Sequence, residues 1–392
     1  MKKILFVIDS LNSGGAEKSL VSLLSIINYK KYEVDLLMFS IEGLYLSLLP
    51  KEVNVLDVPN FFKKQASGVK GLLKNGDLKE LFIRIKTSIS IRNPRYKKIL
   101  HTSQINWKSI SESIDKLEKK YDVAIAYSQG IPTYFVAEKV KADKILCWIN
   151  TDYKIASYNN KFDRKYYEKY DNIIAVSDYN KNVFVDEIPS VKDKIRVIYD
   201  ILSPNLIKSM ASEDGGFKDN YYGLRILTIG RLVEAKGYDM AIEACIKLKK
   251  HGYKFKWYVI GEGILENKLK KMVTEFQLED IFIFLGTYQN PYVFLKQCDI
   301  YVQPSRFEGF GLAIAEAKIL QKPIIATNFS VVQNQIKNKK NGLIVNMNSE
   351  SIFNGIKEII DNNKLINLFC ERLSKEDVGT EREINKIYSM LG

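Results

Sequence analysis

Short apolar segments of strand length alternate with longer stretches of helical periodicity along most of this 392-residue chain. An apolar run at residues 3–8 is followed by Gly14 and Gly15 and then by a helical pattern at 16–27. Further strand-like runs of the first half lie at 32–39, 53–58, 123–127, 144–149 and 172–176. Because buried strands separated by helices form parallel sheets covered on both faces, the pattern predicts an α/β fold with a doubly wound sheet.

The alternation lapses between residues 203 and 222, where Ser, Pro, Asp, Gly and Lys prevail, and then resumes. Strand-like runs of the second half lie at 224–229, 256–260, 281–285, 300–303 and 323–326. A change of composition of this kind marks a domain boundary, and the chain is long enough to bury two cores. We therefore predict two doubly wound domains.

The sequence lacks the features of a secreted or membrane-spanning protein. The N-terminal apolar run is too short for a signal peptide, and no later segment has eighteen uncharged apolar residues in a row. The four cysteines are far apart and form no C-x-x-C pair, which argues against a zinc cage or a disulfide framework. We therefore expect a soluble, cytoplasmic protein.

The densest functional signal follows the strand-like run that ends near Gln303. Glu308 lies in a turn, Gly309-Phe310-Gly311 comes next, and Glu316 stands about one and a half turns into the helix that follows. A strand, a glycine turn and a helix direct backbone N–H groups toward an anion. Taken singly, each carboxylate would be interpreted as a solvated side chain. With the glycine turn between them, the pattern favours contacts of Glu308 with a sugar and of Glu316 with a ribose.

Two cations follow the first strand of the second half, in the loop from Gly230 to Gly237. Arg231 and Lys236 can neutralise a diphosphate in the same cleft, although such residues alone are more often solvated. The chain has no Asp-x-Asp, and neither of its two histidines is near a carboxylate cluster in sequence. We therefore predict that no metal or other cofactor is bound, and that these cations and helix N-termini stabilise the leaving group.

Together with Gly14-Gly15-Ala16-Glu17, these two signals resemble the family-four retaining glycosyltransferases over essentially the whole chain. The resemblance implies the GT-B fold, with two Rossmann-like domains facing a central cleft. It implies an acceptor-binding domain at 1–203, a donor-binding domain at 204–375, and a C-terminal helix at 376–392 that packs on the first domain. The related enzymes include bacterial capsule and O-antigen transferases, so we expect transfer of a hexose or N-acetylhexosamine from a nucleotide-diphosphate sugar, with UDP favoured.

The resemblance also assigns roles, all of them to donor contacts. It implies that Glu308 contacts the donor sugar near the anomeric centre and that Glu316 contacts the ribose. The backbone of Gly309, Phe310 and Gly311 would contact the sugar hydroxyls. It implies that Arg231, Lys236, Gly14 and Gly15 bind the diphosphate. By their sequence alone, the two glycines are equally consistent with a tight turn. A dinucleotide-dependent oxidoreductase is disfavoured, because the first loop lacks the G-x-G-x-x-G pattern.

One position departs from the family. Asn150 follows a first-domain strand where members usually carry a histidine beside the donor sugar. An asparagine amide can donate a hydrogen bond to a sugar hydroxyl, but it holds no titrating proton. Asn150 is thus a candidate catalytic contact or a simple turn residue, and the alternative function is an impaired protein that only binds sugar nucleotides.

The formal charge of +13 is concentrated in the segment 61–108, which has twelve Lys or Arg and only two acids. Apolar pairs and triplets interrupt the cations, which is typical of basic amphipathic helices on an anionic membrane. A solvated basic face is the alternative, and no nucleic-acid-binding module accompanies the charge. Since related bacterial enzymes extend lipid-linked oligosaccharides, we expect a glycan or lipid-linked acceptor and a peripheral position on the inner face of the cell membrane.

Overall fold

The computed structural model describes residues 1–12 and 14–392, without the side chains of residues 97 and 363. The chain divides into two compact units, one formed by residues 1–201 and 382–392 and the other by residues 202–381. No helix in the described ranges is both long and apolar enough to cross a membrane. Each unit is built around its own parallel sheet, as the alternating pattern predicted.

The first unit has seven strands. They are β1 (Lys2–Ile8), β2 (Tyr32–Met38), β3 (Asn54–Val55), β4 (Lys120–Ala126), β5 (Lys141–Ile149), β6 (Asn172–Ala175) and β7 (Ile195–Val197). Their order in the sheet is β3-β2-β1-β4-β5-β6-β7. Its first nine helices are α1 (Gly15–Ile26), α2 (Asn60–Ala66), α3 (Gly68–Lys74), α4 (Leu78–Arg92), α5 (Pro94–Lys97), α6 (Thr102–Ile110), α7 (Ile131–Lys139), α8 (Asn160–Tyr167) and α9 (Asp178–Glu187).

The second unit has six strands. They are β8 (Leu224–Ile229), β9 (Phe255–Ile260), β10 (Phe282–Gly286), β11 (Ile300–Gln303), β12 (Ile324–Thr327) and β13 (Leu343–Val345), in the order β10-β9-β8-β11-β12-β13. Its helices are α10 (Pro204–Met210), α11 (Tyr238–Lys250), α12 (Glu266–Glu275), α13 (Tyr292–Gln297), α14 (Leu312–Ile319), α15 (Val332–Gln335), α16 (Ser349–Ile360) and α17 (Asn363–Lys375).

The C-terminal helix is shorter than the predicted 376–392, and α18 (Ile384–Leu391) is the last helix. Residues 376–380 are not helical, because Gly379 interrupts the pattern and Thr380 pairs with Leu202, whose N–H donates to the threonine Oγ1 at 2.8 Å. Helix α18 packs on the first unit, where Tyr388 stacks on Tyr32 with ring centroids 5.5 Å apart.

At the edges of the sheets, one strand prediction was inaccurate and two strands were missed. The predicted strand at 53–58 is reduced to the two residues of β3, and the sequence patterns missed β7 and β13. Both missed strands are only three residues long, too short for a periodicity to register. The central strands were placed correctly because they are buried on both faces and therefore read as continuous apolar runs.

Both sheets share one topological property. The strand order reverses between β1 and β4 in the first unit, and between β8 and β11 in the second. In doubly wound sheets, ligands bind outside the carboxyl ends of the strands at such a switch point. The predicted site loops after β1, β8 and β11 all begin at a switch-point strand.

Candidate active site

The loops after β8 and β11 pack against each other in the second unit. The backbone N–H of Arg306 donates to the carbonyl of Ala235 at 2.8 Å. Gly237 has a φ of +63°, and a Cβ at this position would lie 2.0 Å from the carbonyl oxygen of Pro304. Because only glycine tolerates both the backbone conformation and the contact, this residue sets how closely the two loops approach.

This packing brings Lys236 to Glu308, which lies 72 residues further along the chain. The Oε1 atom of Glu308 accepts three hydrogen bonds, from Lys236 Nζ at 2.6 Å, Ser305 Oγ at 2.7 Å and Gln303 Nε2 at 2.9 Å. Within residues 1–12 and 14–392, no side chain or backbone group donates to the Oε2 atom. One carboxylate oxygen is therefore fixed by the protein, and the other is available to a ligand.

Further hydrogen bonds fix Gln303 and Ser305, which donate to Glu308. Tyr301 donates its hydroxyl proton to Gln303 Oε1, and Thr327 Oγ1 donates to the carbonyl of Ser305. Burial raises the pKa of Tyr301 well above its usual value, and the nearby Glu308 carboxylate raises it further. Tyr301 thus stays protonated and keeps Gln303 oriented as a donor.

Sequence reasoning assigned no role to Gln303 or Ser305, although both stand next to the predicted site. The signal available in the sequence was one amide and one hydroxyl side chain at the end of an apolar strand, directly before the Glu308 turn. Both side chains are almost fully buried. Buried polar side chains normally form hydrogen bonds, and here both donate to the Glu308 carboxylate.

An ion pair fixes the β11 loop on its other side. Arg306 makes two parallel hydrogen bonds to Asp239 on α11, at 2.8 and 2.5 Å, and lowers the pKa of that carboxyl. The paired geometry orients both planes and is more specific than a single contact. Glu308 therefore sits on a loop anchored to α11 as well as to the β8 loop.

Glu316 lies in α14, which begins after Gly311 in the left-handed conformation at φ +92°. Its side chain is 1% exposed, and Oε1 accepts a hydrogen bond from the Tyr292 hydroxyl at 3.2 Å. The carbonyl of Phe310 accepts from Gln335 Nε2 at 3.3 Å. The predicted backbone contacts to the sugar would therefore use N–H groups of the Gly-Phe-Gly turn.

Arg231 stands on a rigid backbone but has an unpaired side chain. The Tyr238 hydroxyl donates to Gly230 O at 2.6 Å, and a Cβ on Gly261 (φ +143°) would lie 2.1 Å from the same oxygen. The guanidinium is exposed and forms no ion pair with any described residue. Arg231 can therefore take an anionic ligand without first breaking a protein contact.

The candidates of the first unit lie on the loops after β1 and β5. Gly14 caps α1 in an extended conformation, and a Cβ there would lie 2.0 Å from a carboxylate oxygen of Glu17. Asn150 donates from Nδ2 to the carbonyl of Tyr127 at 2.8 Å, and its buried Oδ1 has no hydrogen-bond partner among the described residues. A phosphate approaching Gly14 would therefore have to displace the Glu17 carboxylate.

Two doubly wound units, one with an ion-paired glutamate at its switch point, have the architecture of the GT-B fold. Solved structures with this fold include the Anabaena HepE complex with UDP-glucose, at a TM-score of 0.70 and 17% identity over all of both chains. The S. aureus TarM complex with UDP, fondaparinux and alpha-GlcNAc-glycerol has a TM-score of 0.68 and 16% identity, again over all of both chains. These likenesses show the fold.

The family follows from sequence comparison. The family model for glycosyl transferases group 1 matches residues 220–376. An uncharacterized glycosyltransferase of Methanocaldococcus jannaschii is 30% identical over 263 residues, which are 65% of this chain and 68% of the relative. The chain belongs to this family and is a glycosyltransferase, which confirms the resemblance seen in its motifs.

Another relative matches almost from end to end. It is the N-acetylgalactosamine-N,N'-diacetylbacillosaminyl-diphospho-undecaprenol 4-alpha-N-acetylgalactosaminyltransferase of Campylobacter jejuni. The two chains are 27% identical over 368 residues, which cover 93% of this chain and 92% of the relative. The similarity therefore includes the first unit, which the family model does not reach.

Proposed function

We propose that the protein is a retaining glycosyltransferase that moves a hexose or N-acetylhexosamine from a nucleotide-diphosphate sugar, preferably a UDP-sugar, in bacterial surface-glycan synthesis. The acceptor is a lipid-linked oligosaccharide or a polysaccharide. One observation carries this proposal: Glu308 is held through Oε1 by three donors at the switch point of the second unit, while Oε2 remains available. A carboxylate fixed in this way can stabilise positive charge that develops at an anomeric carbon.

The leaving diphosphate is stabilised by protein cations in this proposal, and no metal is required. Lys236 contacts Glu308 and therefore places an ammonium group beside the carboxylate that faces the sugar. Arg231 adds an exposed guanidinium on the same loop. We propose that the donor phosphate assists in deprotonating the acceptor, so that retention by front-face attack needs no covalent enzyme nucleophile.

The acceptor assignment rests on the C. jejuni relative, whose name specifies a diphospho-undecaprenol substrate. A lipid-linked acceptor resides at a membrane surface, and the first unit carries the cationic segment 61–108. Cationic segments of this kind are attracted to anionic lipid headgroups. We therefore place the protein on the cytoplasmic face of the cell membrane, as a peripheral protein.

A sugar-nucleotide-binding protein without transfer activity is the second candidate, and Asn150 is the observation that favours it. Its Nδ2 already donates to the Tyr127 carbonyl, and an asparagine amide cannot exchange a proton at neutral pH. Replacing Asn150 with His tests this candidate. If Asn150→His creates transfer activity that the natural chain lacks, the second candidate is correct.

The decisive assay measures release of nucleoside diphosphate from a panel of sugar nucleotides, with EDTA and without added metal. Undecaprenyl-diphosphate oligosaccharides serve as acceptors, and the anomeric configuration of the product is read by NMR. We expect EDTA-resistant turnover with retention of configuration. Inversion, or strict dependence on a divalent ion, would contradict the corresponding part of the proposal.

A further inference from the structure

Helix α4 is apolar on two opposite sides. One side faces the unit, where Ile83 is buried. The other side carries four exposed apolar residues, which we call the α4 stripe: Leu78 (66% exposed), Phe82 (67%), Ile85 (49%) and Ile89 (63%). At 100° per residue these four side chains fall within an arc of about 60°. The exposed side of this helix therefore carries a narrow apolar stripe.

The apolar stripe of an amphipathic helix is normally buried against another element. Helix α4 is covered on one side by α2, α3 and α6, and the stripe side has no cover within the described residues. Helix α3, which packs against α4, adds Val69 (48% exposed) and Leu73 (55%). A group of exposed apolar side chains on one helix face and its neighbouring helix indicates an interaction site.

The charges around the stripe are unpaired cations. Lys79 and Lys86 are exposed on α4 beside the stripe, and neither forms an ion pair in the described part of the chain. The two acids of the segment, Asp77 and Glu80, both pair with Lys64, at 2.8 and 2.9 Å. The local acids are thus neutralised elsewhere, and the cations near the stripe are left for an anionic partner.

We propose that α4 lies in the interface of an anionic lipid bilayer, with the α4 stripe among the acyl chains and the flanking lysines at the headgroup phosphates. This inference rests on the membrane position proposed above. It adds shallow insertion of the α4 stripe to the electrostatic attraction proposed there. An interfacial helix gains affinity from both terms, buried apolar area and attraction to anionic lipids.

Charge complementarity favours a bilayer over the other possible occupants. A second copy of the chain docked through the same face would bring two strongly cationic segments together, which is repulsive. Nucleic acid would satisfy the cations but would leave the aliphatic stripe exposed to water. An anionic bilayer takes both the apolar side chains and the positive charge.

The test is co-sedimentation of the full chain with vesicles of phosphatidylcholine containing about one third phosphatidylglycerol. We expect binding that weakens but persists at 0.5 M NaCl, where the Debye length is roughly 4 Å, because apolar insertion is not screened. Phe82→Gln and Ile89→Gln should each lower the partition coefficient about tenfold at high salt. Lys79→Gln with Lys86→Gln should lower binding only at low salt.

Phe276→Gln is the matched control, since Phe276 is 47% exposed in the second unit. It should bind vesicles as the natural chain does. A Phe82→Trp variant gives a direct reading of depth, because the three native tryptophans are all buried. Brominated acyl chains should quench its added fluorescence.

The inference is overturned if the stripe variants bind vesicles as tightly as the natural chain at high salt, or if Trp at position 82 is not quenched. It is equally overturned if these variants dissociate a dimer in sedimentation velocity, which would assign the stripe to a second copy. Metal-free release of nucleoside diphosphate should be unchanged in Phe82→Gln. Failure of the membrane inference is therefore distinguishable from failure of the proposed enzymatic activity.

Discussion

The two units share a topology but differ in the connection that joins the edge of the sheet to the switch point. In the second unit, the chain between β10 and β11 contains a single short helix, α13. In the first unit, the chain between β3 and β4 contains five helices, α2 to α6, and most of the net charge. The same position in the fold is thus a short link in one unit and an exposed basic surface in the other.

The candidate residues at the carboxyl ends of the strands differ as well. In the second unit, Glu308 receives three hydrogen bonds and its loop is fixed by an ion pair to α11. In the first unit, Asn150 makes one hydrogen bond through its amide, and its Oδ1 has no partner among the described residues. The comparison indicates that the candidate site of the second unit is pre-organised by protein contacts, whereas Asn150 in the first unit is held by one hydrogen bond.

The largest test of this contrast compares Glu308→Gln with Asn150→Ala. We expect Glu308→Gln to lower kcat about a thousandfold, because a neutral amide cannot stabilise the developing positive charge. Asn150→Ala should cost about tenfold, since its amide is already engaged by the Tyr127 carbonyl. Steady-state kinetics measure both, with Glu243→Gln on the exposed face of α11 as control. Equal losses at the two positions would break the contrast.

The two cations of the β8 loop should differ in which kinetic constant they control. Lys236→Ala should lower kcat about a hundredfold, because it removes a contact to Glu308 as well as a positive charge. Arg231→Ala should mainly raise the donor KM, by about tenfold, because Arg231 is exposed and forms no ion pair with the described residues. Lys250→Ala, on α11, should change neither constant. A reversed pattern would show that the contact to Glu308 is not functional.

A pair of glycines tests whether the second unit depends on close loop packing. Gly237→Ala should lower the free energy of unfolding by about 3 kcal/mol, since the methyl group would meet Pro304 O. Gly252→Ala has a similar left-handed φ of +79° but no neighbour within 4 Å, and should cost about 1 kcal/mol. Urea unfolding followed by circular dichroism measures the difference. Equal costs would mean that backbone strain alone, and not the loop contact, is decisive.

The smallest effect concerns the hydrogen bonds behind Glu308. Ser305→Ala should lower kcat about tenfold with little change in KM, because the carboxylate loses one of the three donors that orient it. Thr287→Val is the matched control, since the Thr287 hydroxyl is buried without a partner among the described residues. A loss in Ser305→Ala that appears only as lower thermal stability would assign Ser305 a structural role alone.

The sequence by itself determined the two parallel-sheet units, the central strands and the loops that carry the candidate site. It could do so because these features are local: an apolar run of strand length, a glycine turn and a carboxylate within a few residues. It also identified Glu308 and Lys236 separately, each by its position after a predicted strand. The extent of the last helix was less predictable, because Thr380 pairs with a residue far away in sequence.

Only the tertiary structure decided which of these residues touch and which stay exposed. Lys236 contacts Glu308 because the loops after the neighbouring strands β8 and β11 pack together, although the two residues are 72 apart in the chain. Gln303 donates to the same carboxylate. The α4 stripe lies in the segment that the sequence pattern assigned to basic amphipathic helices, but the pattern did not show which of its apolar residues are exposed. Its exposure follows from packing on one side only, since burial depends on the neighbours that the fold supplies and not on the residue alone.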